Sequence, residues 1–179
     1  CQVLRNLSRR RRNMISLQPS ANNDAFDGVA RMLDRLRNLS NADQTNVADA
    51  INKGFGANFD AERAGDGGDW NRLRPFTIAE RKRKGFGPGP ILNRTGEYRR
   101  SFTNRNASGH VEKFKPTRQG WTLESGSDDE RVGTLEYGGY TGTGRFVPPR
   151  PASFLSDASE DRVFAVLDAI TDRIMATGT

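Results

Sequence analysis

The chain has 179 residues and a net charge of +6, and 34% of its residues are hydrophobic. This length predicts one domain with extensions, and the low apolar share favours a protein that completes its packing against neighbours. Cys1 is the only cysteine, which excludes an internal disulfide and a cysteine-based metal cluster. The chain contains no run of about 18 apolar residues, so no membrane span is predicted.

The positive charge is concentrated at the start of the chain. Residues 1–13 hold five arginines and no acidic residue, which leaves residues 14–179 with +1. Two interpretations are open. Met14 is the native start and residues 1–13 are upstream sequence, or residues 1–13 are a basic disordered leader that binds nucleic acid. In both, residues 14–179 form a single domain.

Two helices are predicted first. Over residues 24–39, apolar side chains recur at three- and four-residue steps, which is typical of a helix with one buried face. These side chains are Phe26, Val29, Ala30, Leu33 and Leu36. A second helix is predicted over residues 43–62, and Gly54 and Gly56 are expected to end or kink it.

The middle of the chain predicts short helices between loops. Residues 64–69 contain three glycines, which favours a flexible loop. The spacing of Thr77 and Glu80 is that of a capping box and predicts a short helix there. Thr95 is expected to cap another helix over residues 96–101.

The second half predicts strands and then a long helix. Apolar and polar residues alternate from 102 to 125, with a break at 116–120, which predicts an antiparallel hairpin with a five-residue turn. Residues 131–137 are expected to return as a third strand, and residues 138–153 form a loop rich in Gly and Pro. The stripe of the last helix, over 157–175, consists of Val163, Phe164, Val166, Leu167, Ile170 and Ile174. The predicted fold class is α+β: a small antiparallel sheet flanked by helices, with a long C-terminal helix.

The residues that carry chemistry are too scattered to predict an enzyme. His110 is the only histidine, so it has no second histidine with which to share a metal ion. The Gly-rich stretch 85–89 lacks the Gly-Lys-Ser/Thr ending of a phosphate loop, and its prolines remove backbone donors. We therefore expect no catalytic residues, no cofactor and no metal.

Charge is segregated along the chain. Residues 71–105 carry a balance of +8, whereas residues 122–161 carry −5. The pattern fits contact with DNA phosphates, pairing of basic and acidic faces between subunits, or a solvated surface. The densest cluster after the leader, and the candidate DNA- or partner-facing basic patch, is Arg81, Lys82, Arg83 and Lys84.

Two blocks of glycines, prolines, aromatic residues and arginines stand at spacings that look structural. The first block contains Trp70, Leu92, Arg94, Thr95, Gly96 and Tyr98. The second block contains Tyr137, Gly138, Pro148, Arg150 and Pro151. Their order, followed by a long closing helix, resembles the phage virion morphogenesis family, which includes the tail completion proteins of Mu-like and P2-like phages.

The chain departs from the family pattern at two places. The family usually has a glutamine before the aromatic-glycine step, where this chain has Glu136. Ala152 and Ser153 also separate the proline-arginine-proline loop from Phe154. Between its prolines, Arg150 is expected to lie on a stiff extended loop and to pair with a carboxylate of a neighbouring subunit.

The resemblance implies a structural virion protein that completes the tail or joins head to tail. It would act as a ring at the neck, as a homo-oligomer that is hexameric because phage tails have sixfold symmetry. Its partners would be other phage neck and tail proteins, with non-specific contact with DNA in the channel and no membrane. It would be assembled in the host cytoplasm and reside in the virion, at the head–tail junction or tail end. The alternative is a small basic nucleic-acid-binding protein.

Overall fold

The computed structural model describes residues 23–177. They form six helices and two two-stranded antiparallel sheets, which confirms the α+β class and the long C-terminal helix. The elements are α1 (Asn23–Arg37), α2 (Asn41–Ala61), α3 (Pro75–Arg83), α4 (Glu97–Thr103), β1 (His110–Thr117), β2 (Gly120–Ser127), α5 (Val132–Tyr137), β3 (Gly139–Tyr140), β4 (Phe146–Val147) and α6 (Asp157–Ala176). The leader 1–13 and Met14 lie outside the described residues.

Two clusters of buried side chains form the interior. The helical core joins α2, α6 and β2, and consists of Leu39, Val47, Ala48, Leu123, Ile170 and Ile174. The aromatic core joins α2, α4 and the irregular segments, and consists of Phe55, Phe59, Trp70, Ile91, Tyr98, Phe102 and Ala152. Ile51 packs against both clusters, so α2 is the element that connects them.

The helix α1 covers the helical core with a different stripe from the one predicted. Met32 and Leu36 pack against that core, whereas Ala30 and Leu33 are exposed. The side chains of Phe26 and Val29 lie outside the described part. The two packed residues are four apart, so the helical period is right and the buried face is rotated.

The helix α2 runs without interruption through both of its glycines, so the predicted end or kink there is wrong. Gly54 lies where α6 begins. A Cβ at this position would stand 2.5 Å from Leu155 Cδ2 and 3.0 Å from Ser159 Cβ. Gly54 therefore permits the close approach of the two longest helices instead of breaking one of them.

The main hairpin begins later than predicted, since residues 102 and 103 belong to α4, and its turn is tighter. Its register pairs His110 with Ser127 and Thr117 with Gly120, so the turn has two residues and not five. Pro116 sits in a ladder position opposite Trp121. This is tolerated because each strand of a two-stranded sheet is an edge.

The predicted third strand, 131–137, is instead the helix α5. Val132 and Leu135 both pack against the aromatic core. Residues three apart share a face in a helix but point to opposite faces in a strand, which explains the error. The loop that follows is also partly ordered, since β3 and β4 pair within it.

The starts of α6 and α3 depend on different local signals. Ser156 caps α6 by accepting a hydrogen bond from Ser159 N–H. However, α3 begins at Pro75 and not at the Thr77 capping box, because proline is pre-organised for the first helical position. In α6, Phe164 is exposed although it was assigned to the buried stripe.

We predict that Gly54→Ala destabilises the protein by roughly 1–3 kcal/mol, because the new methyl group overpacks the contact with α6. The measurement is urea denaturation of the full chain. The control is Gly133→Ala in α5, where nothing lies within 4 Å of the added Cβ. Equal stability of the two variants would show that the α2–α6 contact can accommodate an added methyl group.

A second prediction concerns pH. Burial alone would raise the pKa of Asp43, but hydrogen bonds from Arg173 and Ser40 outweigh it and lower that pKa. A carboxyl group with a depressed folded-state pKa stabilises the fold above its unfolded-state pKa, and this stability is lost as pH falls through the folded-state pKa. Asp43→Asn should therefore reduce the free energy of unfolding at neutral pH, and the difference from wild type should shrink below about pH 4. Asp168→Asn, an exposed change on α6, is the control.

Candidate functional site

The two motif blocks, far apart in sequence, meet at the aromatic core. Trp70 packs edge-on against Phe59 with ring centroids 5.5 Å apart. Its indole Nε1–H donates to the carbonyl oxygen of Pro151 at 3.0 Å. Tyr98 also packs edge-on against Phe59, at 5.9 Å. Trp70, Tyr98 and Pro151 are therefore parts of one framework.

The two departures from the family pattern contact each other. The buried carboxylate of Glu136 accepts hydrogen bonds from Ala152 N–H at 2.8 Å, Ser153 N–H at 3.3 Å and Ser153 Oγ at 2.6 Å. A carboxylate can accept from all three donors because it offers only acceptor oxygens. Glu136 and the inserted Ala152–Ser153 step thus form one local unit.

The loop around Thr95 makes a tight turn into α4. Thr95 Oγ1 donates to Glu97 Oε2 at 3.0 Å and accepts from Glu97 N–H at 3.4 Å. Gly96, with φ of 77°, is the residue that precedes α4 and is its N-cap in place of Thr95. Arg94 is exposed and stacks on Phe86, with its guanidinium carbon 5.3 Å from the ring centroid. Leu92 packs against the aromatic core from the same loop.

Arg150 is not presented to a neighbour as expected. Its side chain is buried, and Nε donates to the carbonyl oxygen of Asn71 at 2.9 Å. Its backbone N–H donates to the carbonyl oxygen of Leu135. Burial lowers the pKa of the guanidinium. Arg150 therefore braces its own chain, joining the segment after Trp70 to α5 and the proline loop.

The predicted basic patch is smaller than the sequence indicated. Arg81 is buried, and both of its terminal nitrogens donate to the carbonyl oxygen of Pro90 at 3.1 Å. Lys84 pairs with Glu80 at 2.7 Å. Of the four predicted residues, Lys82 and Arg83 are exposed and form no salt bridge with another described residue. Including Arg81 was wrong, because its side chain, in the last turn of α3, reaches a backbone carbonyl in the loop that follows the helix.

Exposed aromatic side chains lie on and beside the small hairpin β3–β4. Tyr140 and Phe146 pair across it with ring centroids 5.4 Å apart. Arg145 stacks on Phe76, with 4.6 Å from its guanidinium carbon to the ring centroid. Tyr137 and Tyr140 are each 75% exposed. We call Phe76, Tyr137, Tyr140, Arg145 and Phe146 the aromatic surface.

Gly138 explains how the aromatic surface forms. Its φ of 75° turns the chain between α5 and β3, and an added Cβ would lie 3.0 Å from Pro149 Cδ. Pro148 and Pro149 follow β4 and lead the chain back to Arg150. The sequence marked Tyr137 and Gly138 as a motif, but the exposure of the other aromatic side chains was missed, since apolar residues are normally assigned to a core.

The remaining side chain considered for chemistry, His110, makes structural contacts within the described residues. His110 Nδ1 lies 3.0 Å from the carbonyl oxygen of Ser101, and its ring is almost fully buried at the start of the main hairpin. Residues 23–177 contain no group of three His, Cys, Asp or Glu side chains arranged to hold a metal ion. No helix in this range has the length and apolar character needed to cross a membrane.

Comparison with known proteins gives no match to a family model, to a curated protein or to a solved structure. The resemblance to the phage virion morphogenesis family therefore depends on the order and spacing of the two blocks.

We predict that Arg150→Ala destabilises the isolated protein by about 1–3 kcal/mol, because it removes a buried hydrogen bond and the packing of the side-chain stem. Arg150→Met, which keeps an unbranched stem, should be less damaging. The measurement is chemical denaturation, with exposed Arg118→Ala in the main hairpin turn as control. Wild-type stability of Arg150→Ala would instead favour the docking role expected from the sequence.

Proposed function

We propose that this chain is a structural virion protein that completes a phage tail or joins the head to the tail, acting as a ring at the neck. Its action would be binding and not catalysis. The order of the two motif blocks supports the family, and the aromatic surface supports an assembly role. Its site would be the tail end or head–tail junction of the particle, after assembly in the host cytoplasm.

The aromatic surface is the observation that carries this proposal. Phe76, Tyr137 and Tyr140 are each more than half exposed, and Phe146 is 46% exposed. Exposed apolar patches of this kind typically mark protein–protein contacts, and aromatic residues and arginine dominate the binding energy of such contacts. Arg145 on the Phe76 ring adds the cation that such interfaces favour.

The outer face of α6 offers a complementary surface for a second copy. Asp161, Asp168 and Asp172 are exposed on this helix, and the exposed Phe164 and Met175 share their face at helical spacing. An acidic face with apolar side chains matches the cationic aromatic surface of a neighbour. Contact between two different faces of identical subunits closes into a ring when the rotation allows it. A hexamer is the subunit number that the family resemblance implies.

Contact with DNA in the channel is assigned to Lys82 and Arg83, the exposed remainder of the basic patch. These two cations also favour the second candidate, a small basic nucleic-acid-binding protein. Salt separates the two functions. A complex made of phosphate contacts weakens steeply as salt rises, whereas a ring held by aromatic contacts does so less.

We predict that Tyr140→Ser together with Phe146→Ser leaves the monomer folded but lowers the yield of infectious particles by about tenfold or more, since it removes two aromatic anchors. The measurement is complementation of a phage that lacks the native protein. The matched control is Leu33→Ser on α1, where the side chain is 44% exposed and lies on a different element.

Immunogold electron microscopy of the lysate, with antibody against residues 14–179, gives the location. One label at the head–tail junction or tail end is expected. Particles without label, combined with normal yield of the double variant, would overturn the proposal. Salt-sensitive DNA binding would then favour the second candidate.

A further inference from the structure

A cavity of about 220 Å³ lies between α3, the loop before α4, and α5. Its apolar wall includes Leu73, Leu92 and Leu135, and its polar wall includes Arg81, Arg94 and Tyr98. Three of these six residues belong to the first motif block, but nothing in the assembly role described above uses the space that they enclose.

Two buried polar atoms without a hydrogen-bond partner belong to residues that line this cavity. They are Arg81 Nε and Tyr98 Oη, and they are the two such side-chain atoms found among residues 23–177. Arg81 is 5% exposed and Tyr98 is 3% exposed. Buried donors are normally satisfied, so two orphaned donors beside one cavity indicate a missing acceptor.

The charges around the cavity also point to an anion. Glu80 is paired with Lys84, and Arg131 is paired with Asp129. By contrast, Arg81 and Arg94 have no carboxylate partner in the described part of the chain. Burial, followed by the proximity of Arg94, lowers the pKa of Arg81 despite an opposing effect of Glu62. An anion beside the two guanidinium groups would offset both the desolvation of Arg81 and its repulsion by Arg94.

Tyr98 is held in the form that can donate. Burial raises the pKa of its phenol, and Glu136 and Asp129 raise it further. Both carboxylates already accept hydrogen bonds, Glu136 from Ala152 N–H and Asp129 from Arg131 N–H. The Tyr98 hydroxyl therefore stays protonated at neutral pH and is available to an acceptor in the cavity.

We propose that this cavity binds a carboxylate carried on an apolar stem. Arg81 Nε–H, the Arg94 guanidinium and the Tyr98 hydroxyl bind the carboxylate, and the leucine wall receives the stem. A phosphate lacks the stem and would leave the apolar wall without a partner. The site does not require a ring, so it holds whether or not the proposed function does.

The test uses benzoate as the probe and the full chain, by calorimetric titration at constant ionic strength. Benzamide, the neutral analogue of the same shape, should bind about tenfold more weakly, since hydrogen bonds to a charged acceptor are the stronger ones. Arg94→Gln should weaken benzoate by about tenfold, and Tyr98→Phe by about threefold or more. The exposed Arg72→Gln, outside the cavity, is the control and should leave affinity unchanged.

Tyr98→Phe keeps the ring in the aromatic core and removes a hydroxyl that has no partner, so the variant should fold with unchanged or higher stability. This protects the test against a loss of binding caused by unfolding. Benzoate that binds no better than benzamide, or equally well to Tyr98→Phe and Arg94→Gln as to wild type, would overturn the proposal. Inorganic phosphate that binds more tightly than benzoate would overturn the choice of a carboxylate.

The carboxylate has two possible sources: a free small molecule or an acidic side chain of a neighbouring chain. Sedimentation velocity with saturating benzoate separates them. Dissociation of oligomers by benzoate but not by benzamide assigns the site to a neighbour's side chain. Unchanged sedimentation assigns it to a free carboxylate. A failure of benzoate binding leaves the particle-yield prediction unaffected, so the two proposals fail separately.

Discussion

The fold depends on satisfying the buried backbone of residues 150–154, a segment with no regular structure. Trp70 donates to the carbonyl oxygen of Pro151, and Asn58 of α2 donates to the carbonyl oxygens of Ala152 and Phe154. Glu136 accepts from the N–H groups of Ala152 and Ser153. Irregular backbone can be buried only when its polar groups find such partners. The closing segment thus ties α2, α5 and the Trp70 loop together before α6 begins, and the aromatic core closes around it.

This framework separates an interior that holds the fold from an exterior that is free to bind. Arg150 and Arg81 donate hydrogen bonds to carbonyl oxygens of their own chain and are buried. The side chains exposed on the surface therefore differ from those that the motifs suggested. Aromatic residues on the β3–β4 hairpin and acidic residues on α6 are exposed instead, and these are the surfaces of the subunit pairing proposed above. The cavity beside Tyr98 lies where the framework has two donors left over. The aromatic surface and the cavity are therefore separate consequences of one arrangement.

The elements with strong local periodicity were predicted from sequence. The main hairpin and α6 were found because alternation and helical stripes persist over many residues. Short segments failed: the apolar pair Val132 and Leu135 fits a helix, but six residues do not define a period well enough to exclude a strand. The Gly54 error had another cause. A glycine lowers the helix propensity of α2, yet the contact with α6 compensates, and no local signal reveals neighbours more than 100 residues later.

The sequence by itself determined the fold class, the long last helix and the order of the two motif blocks, since these depend on local pattern and spacing. Only the tertiary structure decided which arginines are buried, which aromatic side chains are exposed and which donors remain without acceptors. The physical reason is that long side chains reach partners on distant segments: Arg150 finds Asn71, and Trp70 finds Pro151. Whether such a residue braces the fold or binds a partner is settled by that distant contact, which residue type and spacing do not encode.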